Sequence, residues 1–213
     1  MVPVATLNGV WTDRIDVPRE VVASLLADVA DRQIPHCLQV RPACEPSLAD
    51  LASEKGMVSG EEIPLMILET LRSVEHDDPA ELVIRRLGPD EVQQHARVAA
   101  AGFEAPEELF SRLMVPSIAS LSGVSCYLGE VEGVAVTTAL GVIRDNAVGI
   151  FNVATPPAWR RRGYGAALTI RAVRDGFDEG AQWAWLQSSA AGYRVYERLG
   201  FRMLESWQCW LKP

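Results

Sequence analysis

Three arginines followed at once by two glycines, Arg160-Arg161-Arg162-Gly163-Tyr164-Gly165, make the stretch of this sequence best suited to holding an anion. A β-rich run leads into it, from Val148 through Ile150, Phe151 and Val153 to Thr155. Pro156 and Pro157 then stop any sheet ladder, because proline has no N–H to give. A helical periodicity follows, from Ala166 through Leu168 and Ile170 to Val173. Strand, tight turn, glycines and helix in that order leave the N–H groups of the first helical turn unpaired, and glycine lets a phosphate come close to the backbone. The details restrict which phosphate. A dinucleotide loop needs a third glycine where Leu168 stands, and the Gly-Lys-Ser/Thr of a P-loop is absent.

The stretch resembles the acyl-CoA loop of the GCN5-related N-acetyltransferases (GNAT), (Gln/Arg)-x-x-Gly-x-(Gly/Ala), with Arg160, Gly163 and Gly165 at its defined positions. Downstream, Val195-Tyr196-Glu197-Arg198-Leu199-Gly200-Phe201 resembles the same family's Leu-Tyr-x-x-x-Gly-Phe signature. The resemblance implies that acetyl-CoA lies between two diverging parallel strands, Val148–Thr155 and Trp183–Gln187. Its pyrophosphate would rest on the amides of Arg161, Arg162, Gly163, Tyr164, Gly165 and Ala166. Its pantetheine arm would lie along Val153, Ala154 and Thr155, and the arginine side chains, Arg160 included, would add contacts to phosphate. An amine then attacks the thioester directly, and Tyr196 is expected to protonate the departing thiolate. A phenol of intrinsic pKa about 10 suits a thiolate forming beside it. Tyr193 and Tyr164 are weaker candidates for that role. Ser189 stands where the family commonly has asparagine, a departure that puts its contact to the pantetheine in doubt. The glutamate that some members carry five residues before that position is Ala184 here. Glu104, Glu107, Glu108 and Glu130 are surface carboxylates that could approach the acceptor, and none is assigned as a base. Trp183 and Trp185 alternate onto one strand face, where they are expected to pack under helices or, as the second reading, to line an acceptor pocket.

The elements that must position these groups follow from periodicity. From Glu81 onward the order is a strand Leu82–Leu87, a helix from Asp90 to Ala101 ended by Gly102, and a second helix from Pro106 that runs toward Ile118. A hairpin of Val124–Glu130 with Val134–Ile143 comes next, then the strand and helix of the anion loop, the strand Trp183–Gln187, a short helix Ala190–Leu199 closed by Gly200, and a last strand from Phe201. This is an α/β (α+β) fold: a mixed, mostly antiparallel sheet with splayed central parallel strands and helices on both faces. Upstream, Leu7, Val10 and Trp11 suggest a strand, Val21 to Val29 a helix after Pro18, His36–Val40 a strand, Ser47–Lys55 a helix and Ile63–Leu71 a strand. The turn-prone Glu75-His76-Asp77-Asp78-Pro79 suggests a boundary, with residues 1–79 as one unit and 80–213 as the complete acetyltransferase-like domain. Strand, helix and strand over 36–71 repeat the order of 183–211, each helix ending in Gly plus an apolar residue. That repetition suggests an N-terminal partial, degenerate copy of the same unit, although short βαβ fragments are also common by chance.

Composition narrows the partners. Residues 1–79 hold 14 acidic and 6 basic side chains and residues 80–213 hold 14 of each, so the first part supplies the whole net charge of −8. No basic face interleaved with aromatics runs along the chain, which argues against nucleic acid. Neither a spanning apolar run nor a leader-like N-terminus is present in the sequence, so a cytoplasmic protein off the membrane is expected. Cys37, Cys44, Cys126 and Cys209 lack metal-ligand spacing and read as buried thiols, and no metal is expected. The expected partners are therefore acetyl-CoA and an amine acceptor of unspecified identity; a homodimer is left open. Two other functions remain: a catalytically idle acyl-CoA-binding protein on the same fold, and a nucleotide-dependent oxidoreductase, which the missing third glycine disfavours.

Overall fold

The computed structural model describes residues 5–12, 14–44, 47–70 and 78–213. The chain divides into two compact units. One comprises residues 1–65, 188–190 and 203–213, the other residues 66–187 and 191–202. The boundary expected at 75–79 falls largely outside the described residues.

In the first unit, β1 (Gly9–Trp11) pairs in parallel with β2 (His36–Val40), and β2 pairs antiparallel with β9 (Arg202–Lys212). Next to β9 in strand order comes β3 (Val58–Leu68), which begins five residues earlier than its apolar pattern suggests and whose last three residues belong to the second unit. Helices α1 (Arg19–Ala30) and α2 (Ser47–Glu54) bury Val22, Leu26, Leu48 and Leu51 against Leu38 and Val40. Leu7 lies in a 3-10 turn rather than in the expected strand.

The second unit carries the antiparallel run β4 (Val83–Arg86), β5 (Val124–Val131), β6 (Val134–Arg144) and β7 (Ala147–Ala154), with β8 (Trp183–Gln187) parallel to β7. Glu132 and Gly133 join β5 to β6 with φ of +51° and +79°, as a two-residue primed hairpin turn requires. On one face lies α6 (Tyr164–Asp178), whose Leu168, Ile170 and Val173 bury against Val148, Ile150, Ala184 and Leu186. On the other face α3 (Val92–Phe103) buries Ala96, Ala99 and Ala100 with Cys126, Leu128, Leu140 and Ala154. Helices α4 (Glu107–Leu113) and α5 (Pro116–Ala119) are separate where one was expected to continue, because Pro116 starts a new helix. Helix α7 (Tyr193–Arg198) closes the unit. All four cysteines are free and buried, and among the described residues no helix is long and apolar enough to cross a membrane.

Gly102 corrects an expectation. It does not end α3, which runs on to Phe103 and stops at Glu104 with φ +54°. It is glycine because a Cβ there would lie 2.8 Å from the Ala154 Cβ and 2.9 Å from the Thr155 amide nitrogen. Gly176 plays the same part for α6, where a Cβ would lie 2.8 Å from the Val148 Cβ. Alanine in mid-helix gains about 1 kcal/mol of propensity over glycine, whereas overpacking a tight core costs about 1–3 kcal/mol. Gly176→Ala is therefore expected to destabilise slightly and Gly176→Val clearly, by about 2 kcal/mol in urea unfolding. A stabilised Gly176→Val would contradict this close approach.

Candidate functional site

Strands β7 and β8 pair at only three positions, Ala147 with Trp183, Val148 with Ala184 and Gly149 with Trp185. Beyond Gly149 the two strands part, and the remaining residues of β7 keep only the β6 side of their ladder. That ladder is itself interrupted. Thr138 faces Ala154 while Leu140 faces Phe151, so Asn152 and Val153 together oppose Ala139 alone. This is a β-bulge, and Asn152 takes φ +49° within it. Sequence reasoning missed Asn152. The available signal was an asparagine in the middle of an apolar strand, since asparagine tolerates the left-handed region that β-branched residues avoid.

At the C-terminal end of β7, Pro156 begins a short 3-10 turn over Pro157–Trp159, and α6 then starts after Gly163 at φ +84°. Arg161 is also left-handed, at φ +62°. Among the described residues the backbone N–H groups of Arg161, Arg162, Gly163, Tyr164, Gly165 and Ala166 have no hydrogen-bond partner; the first bonded amide is that of Ala167, to the Gly163 carbonyl at 2.9 Å. Six consecutive unbonded amides at the start of a 15-residue helix leave a concavity of free N–H donors, the kind of backbone geometry that suits an anion. A Cβ at Gly165 would stand 3.4 Å from Thr155 Oγ1 and 3.6 Å from Val153 Cγ1, so a side chain there would fill the space beside the end of β7. This donor set and this open cradle fit a diphosphate.

The arginine side chains behave differently from expectation. Arg160 is exposed yet bonded to the protein itself: its guanidinium donates to the Thr155 carbonyl at 3.1 Å, the Gly102 carbonyl at 2.7 Å and the Glu104 carboxylate at 2.8 Å. It ties the loop to the end of β7 and to α3, and is thus a fastener of the loop. The Thr155 carbonyl, expected to serve a pantetheine arm, is thereby taken; the Thr155 hydroxyl bonds Thr137 Oγ1 at 2.9 Å, and Thr137 also donates to the Ala154 carbonyl at 3.1 Å. Arg162 stacks over the Trp159 ring at 5.0 Å. Arg161 is exposed, with no partner among the described residues. Loss of the fastener in Arg160→Ala is expected to weaken acetyl-CoA binding about tenfold, the loop having exchanged three charge-assisted bonds for mobility. Glu104→Gln removes one exposed ion pair of small worth and is expected to change binding less than threefold. Calorimetric titration of acetyl-CoA into both variants checks the ordering, and equal effects would refute the fastening role.

Two tyrosines separate clearly. The Tyr164 ring is buried in the core and its hydroxyl donates to Glu81 Oε1 at 2.8 Å, a bond that raises the phenol pKa. Only its backbone belongs to the loop. Tyr196 is half-buried on α7 against the core under α6, its ring 6.0 Å from that of Phe201. Its hydroxyl has no hydrogen bond among the described residues, and burial pushes its pKa up to about 12. Tyr193 packs against the same core. Ser189 is exposed in the segment after β8, where its carbonyl accepts a bond from the buried Ser188 hydroxyl at 2.8 Å.

The carboxylates supply no evident base. Glu104 pairs with Arg160, Glu107 with Arg97 and Glu130 with Arg85, while Glu108 is simply exposed. Trp183 and Trp185 correct another expectation. Ala184 and Leu186 take the face under α6, so both tryptophans lie on the opposite face, outside either apolar core of this unit.

Residues 94–201, about half of the chain, match the sequence profile of the Acetyltransferase (GNAT) family. Among curated proteins none matches the chain in sequence. Many solved structures resemble the fold. A GCN5-related N-acetyltransferase from Kribbella flavida has a TM-score of 0.70 at 24% identity, over 97% of this chain and 79% of that one. A tandem GNAT protein from the clavulanic acid biosynthesis pathway has a TM-score of 0.68 at 14% identity, over 96% of this chain and 75% of that one. An aminoglycoside N-acetyltransferase in complex with CoA has a TM-score of 0.51 at 16% identity, over 62% of this chain and 93% of that one.

Proposed function

We propose that this chain, which belongs to the GNAT family of acetyltransferases, moves the acetyl group of acetyl-CoA onto a primary amine of a small molecule or peptide, by direct attack within a ternary complex. The observation that carries the reading is the row of six unbonded amides at the start of α6, which lies at the end of a strand that has parted from its parallel neighbour. Anion site and unpaired strand edge are what a diphosphate followed by an amide-bearing arm needs. The amides of Arg161 to Ala166 hold the diphosphate, and Val153 and Ala154 flank the arm. The likeness to a CoA-bound aminoglycoside acetyltransferase supports the same coenzyme.

In the reaction the amine nitrogen bonds to the carbonyl carbon, the C–S bond breaks, the nitrogen loses a proton and the sulfur gains one. Tyr196 gives the proton to sulfur. Its raised pKa keeps it protonated at neutral pH, as a donor must be. Glu104, Glu107 and Glu130 are each ion-paired, and in this reading water is the acceptor of the amine's proton. The partners are acetyl-CoA and the amine, the compartment is the cytoplasm, and no metal is needed.

The N-terminal residues 1–79 form, in this reading, a partial copy of the same unit without chemistry of its own. Local geometry supports it. Gly56 and Gly200 both end their helices at positive φ, +66° and +85°. The next amide in each case, Met57 or Phe201, reaches back five residues to Ala52 or Tyr196, both at 3.0 Å. The same cap closes both helices, as it also closes α3 and α6. The likeness to a tandem GNAT protein over 96% of this chain agrees.

A catalytically idle acyl-CoA-binding protein is favoured by the ion-paired carboxylates alone. Thiol release from acetyl-CoA across a broad amine panel separates the two readings. Amine-dependent release supports the transferase; tight acetyl-CoA binding with no release on any amine supports the idle protein. A thermal shift with NAD and none with acetyl-CoA would sink both.

A further inference from the structure

The face of β7 and β8 turned away from α6 carries an aromatic pair that the fold leaves unused. Val148 and Ile150 of β7, with Ala184 and Leu186 of β8, lie in the core under α6. Gly149 and Phe151, with Trp183 and Trp185, therefore point to the opposite face. There α3 covers β5, β6 and the end of β7, yet neither Phe151 nor Trp185 joins its apolar cluster. The two rings meet each other instead, centroids 5.2 Å apart and planes at 87°. Gly149 permits this, since a Cβ there would lie 2.7 Å from Phe151 Cε2 and 3.0 Å from Trp185 Cε2. The phenylalanine ring is thus folded back across its own strand, and it stays 37% exposed. Holding an aromatic ring in water gains the fold little, as burial is what stabilises such surface.

The position of the pair is specific. Gly149 and Trp185 are the last paired residues before the strands part, and the left-handed Asn152 follows Phe151 directly. Tyr196 packs on the α6 side. We infer that Phe151 and Trp185 are the resting surface for the body of the acceptor, and that this acceptor is a primary alkylamine joined through a short chain to an aromatic ring. The inference rests on the transferase reading above. Proton donor and acceptor then occupy opposite faces of the opening, so the amine reaches the carbonyl carbon without displacing Tyr196. A polycationic acceptor fits less well. The attacking nitrogen must be neutral, and the remaining charges of a polyamine or amino sugar need several free carboxylates. Glu104, Glu107 and Glu130 are each held by an arginine, and beside these three only Glu108 is left unpaired among the described residues of that group.

The test compares kcat/KM for 2-phenylethylamine, ethanolamine and spermidine. The aromatic amine is expected to lead by tenfold or more. Phe151→Ala is expected to lower its kcat/KM by about 10–200-fold, the range for losing an apolar pocket contact, with ethanolamine nearly unaffected and acetyl-CoA affinity unchanged. Phe151→Leu keeps apolar bulk and is expected to recover part of the loss, which separates a missing platform from a misfolded strand. Equal rates on all three amines, a lead for spermidine, or an equal loss on every amine in Phe151→Ala would overturn the inference and leave the transferase reading standing. If no amine is turned over, it is the transferase reading that fails. The platform is then judged by calorimetry of 2-phenylethylamine with the CoA-loaded protein: saturable heat lost in Phe151→Ala supports it, and no binding overturns it.

Discussion

Tyr196→Phe is expected to lower kcat by about 100-fold or more while leaving the acetyl-CoA dissociation constant within threefold, because a positioned general acid contributes about 10²–10⁴. The substitution is unusually clean. The ring and its edge contact with Phe201 remain, and among the described residues the hydroxyl has no hydrogen bond whose loss would cost stability. The pH profile adds a second reading. With the phenol pKa pushed up to about 12, the wild-type rate should climb as the amine loses its proton and show no decline up to pH about 10. The variant should climb in parallel at its lower level. A variant within threefold of wild type would reduce Tyr196 to a packed aromatic, and a rate that needed the phenolate would show as steep activation above pH about 10.

The second large effect concerns stability below neutral pH. His95 on α3 is fully buried. Its Nδ1 lies 2.6 Å from the Thr138 hydroxyl, which itself donates to the Tyr127 carbonyl at 2.7 Å. The hydroxyl proton being committed, Nδ1 carries the hydrogen and donates. Nε2 is then a bare acceptor, buried without a partner among the described residues. A second proton would bring charge into this apolar setting, and burial lowers the pKa to about 4. The unfolded chain titrates near 6.5. Between those values the unfolded state binds the proton and the folded state does not. The stability is therefore present in full above pH about 6.5 and is lost as the pH falls toward about 4, by about 3 kcal/mol in all. Urea unfolding at pH 7.5 and 5.0 should differ by about 2 kcal/mol from this residue. His95→Gln should be less stable at pH 7.5 but lose that part of the slope; a slope unchanged in the variant would assign it to other groups.

Much of this architecture was legible because local chemistry and global position agreed. Glu132-Gly133 between two apolar runs announces a hairpin, and the prolines at 156 and 157 announce the end of β7. What stayed illegible depends on approach between distant segments. Gly102 reads as a helix stop from its neighbours alone, and only its contact with Ala154 and Thr155 shows why it is glycine within the last turn of α3. Arg160 reads as a phosphate ligand because it is basic and near glycines, yet two carbonyls and Glu104, up to 58 positions away, claim its guanidinium. Trp183 and Trp185 show the same limit. Alternation gives them a common face, but which face the helix covers is decided by Ala184 and Leu186 meeting α6.

The membership of β9 in the first unit bears on how the protein is made. Leu38 of β2 faces Trp210 of β9, roughly 170 positions later. On a ribosome, β2 would emerge long before its sheet neighbour exists, while residues 66–187 could already have collapsed around their own core. That earlier strand would thus mature late, its edge waiting open for a ribbon translated only after residues 66–187.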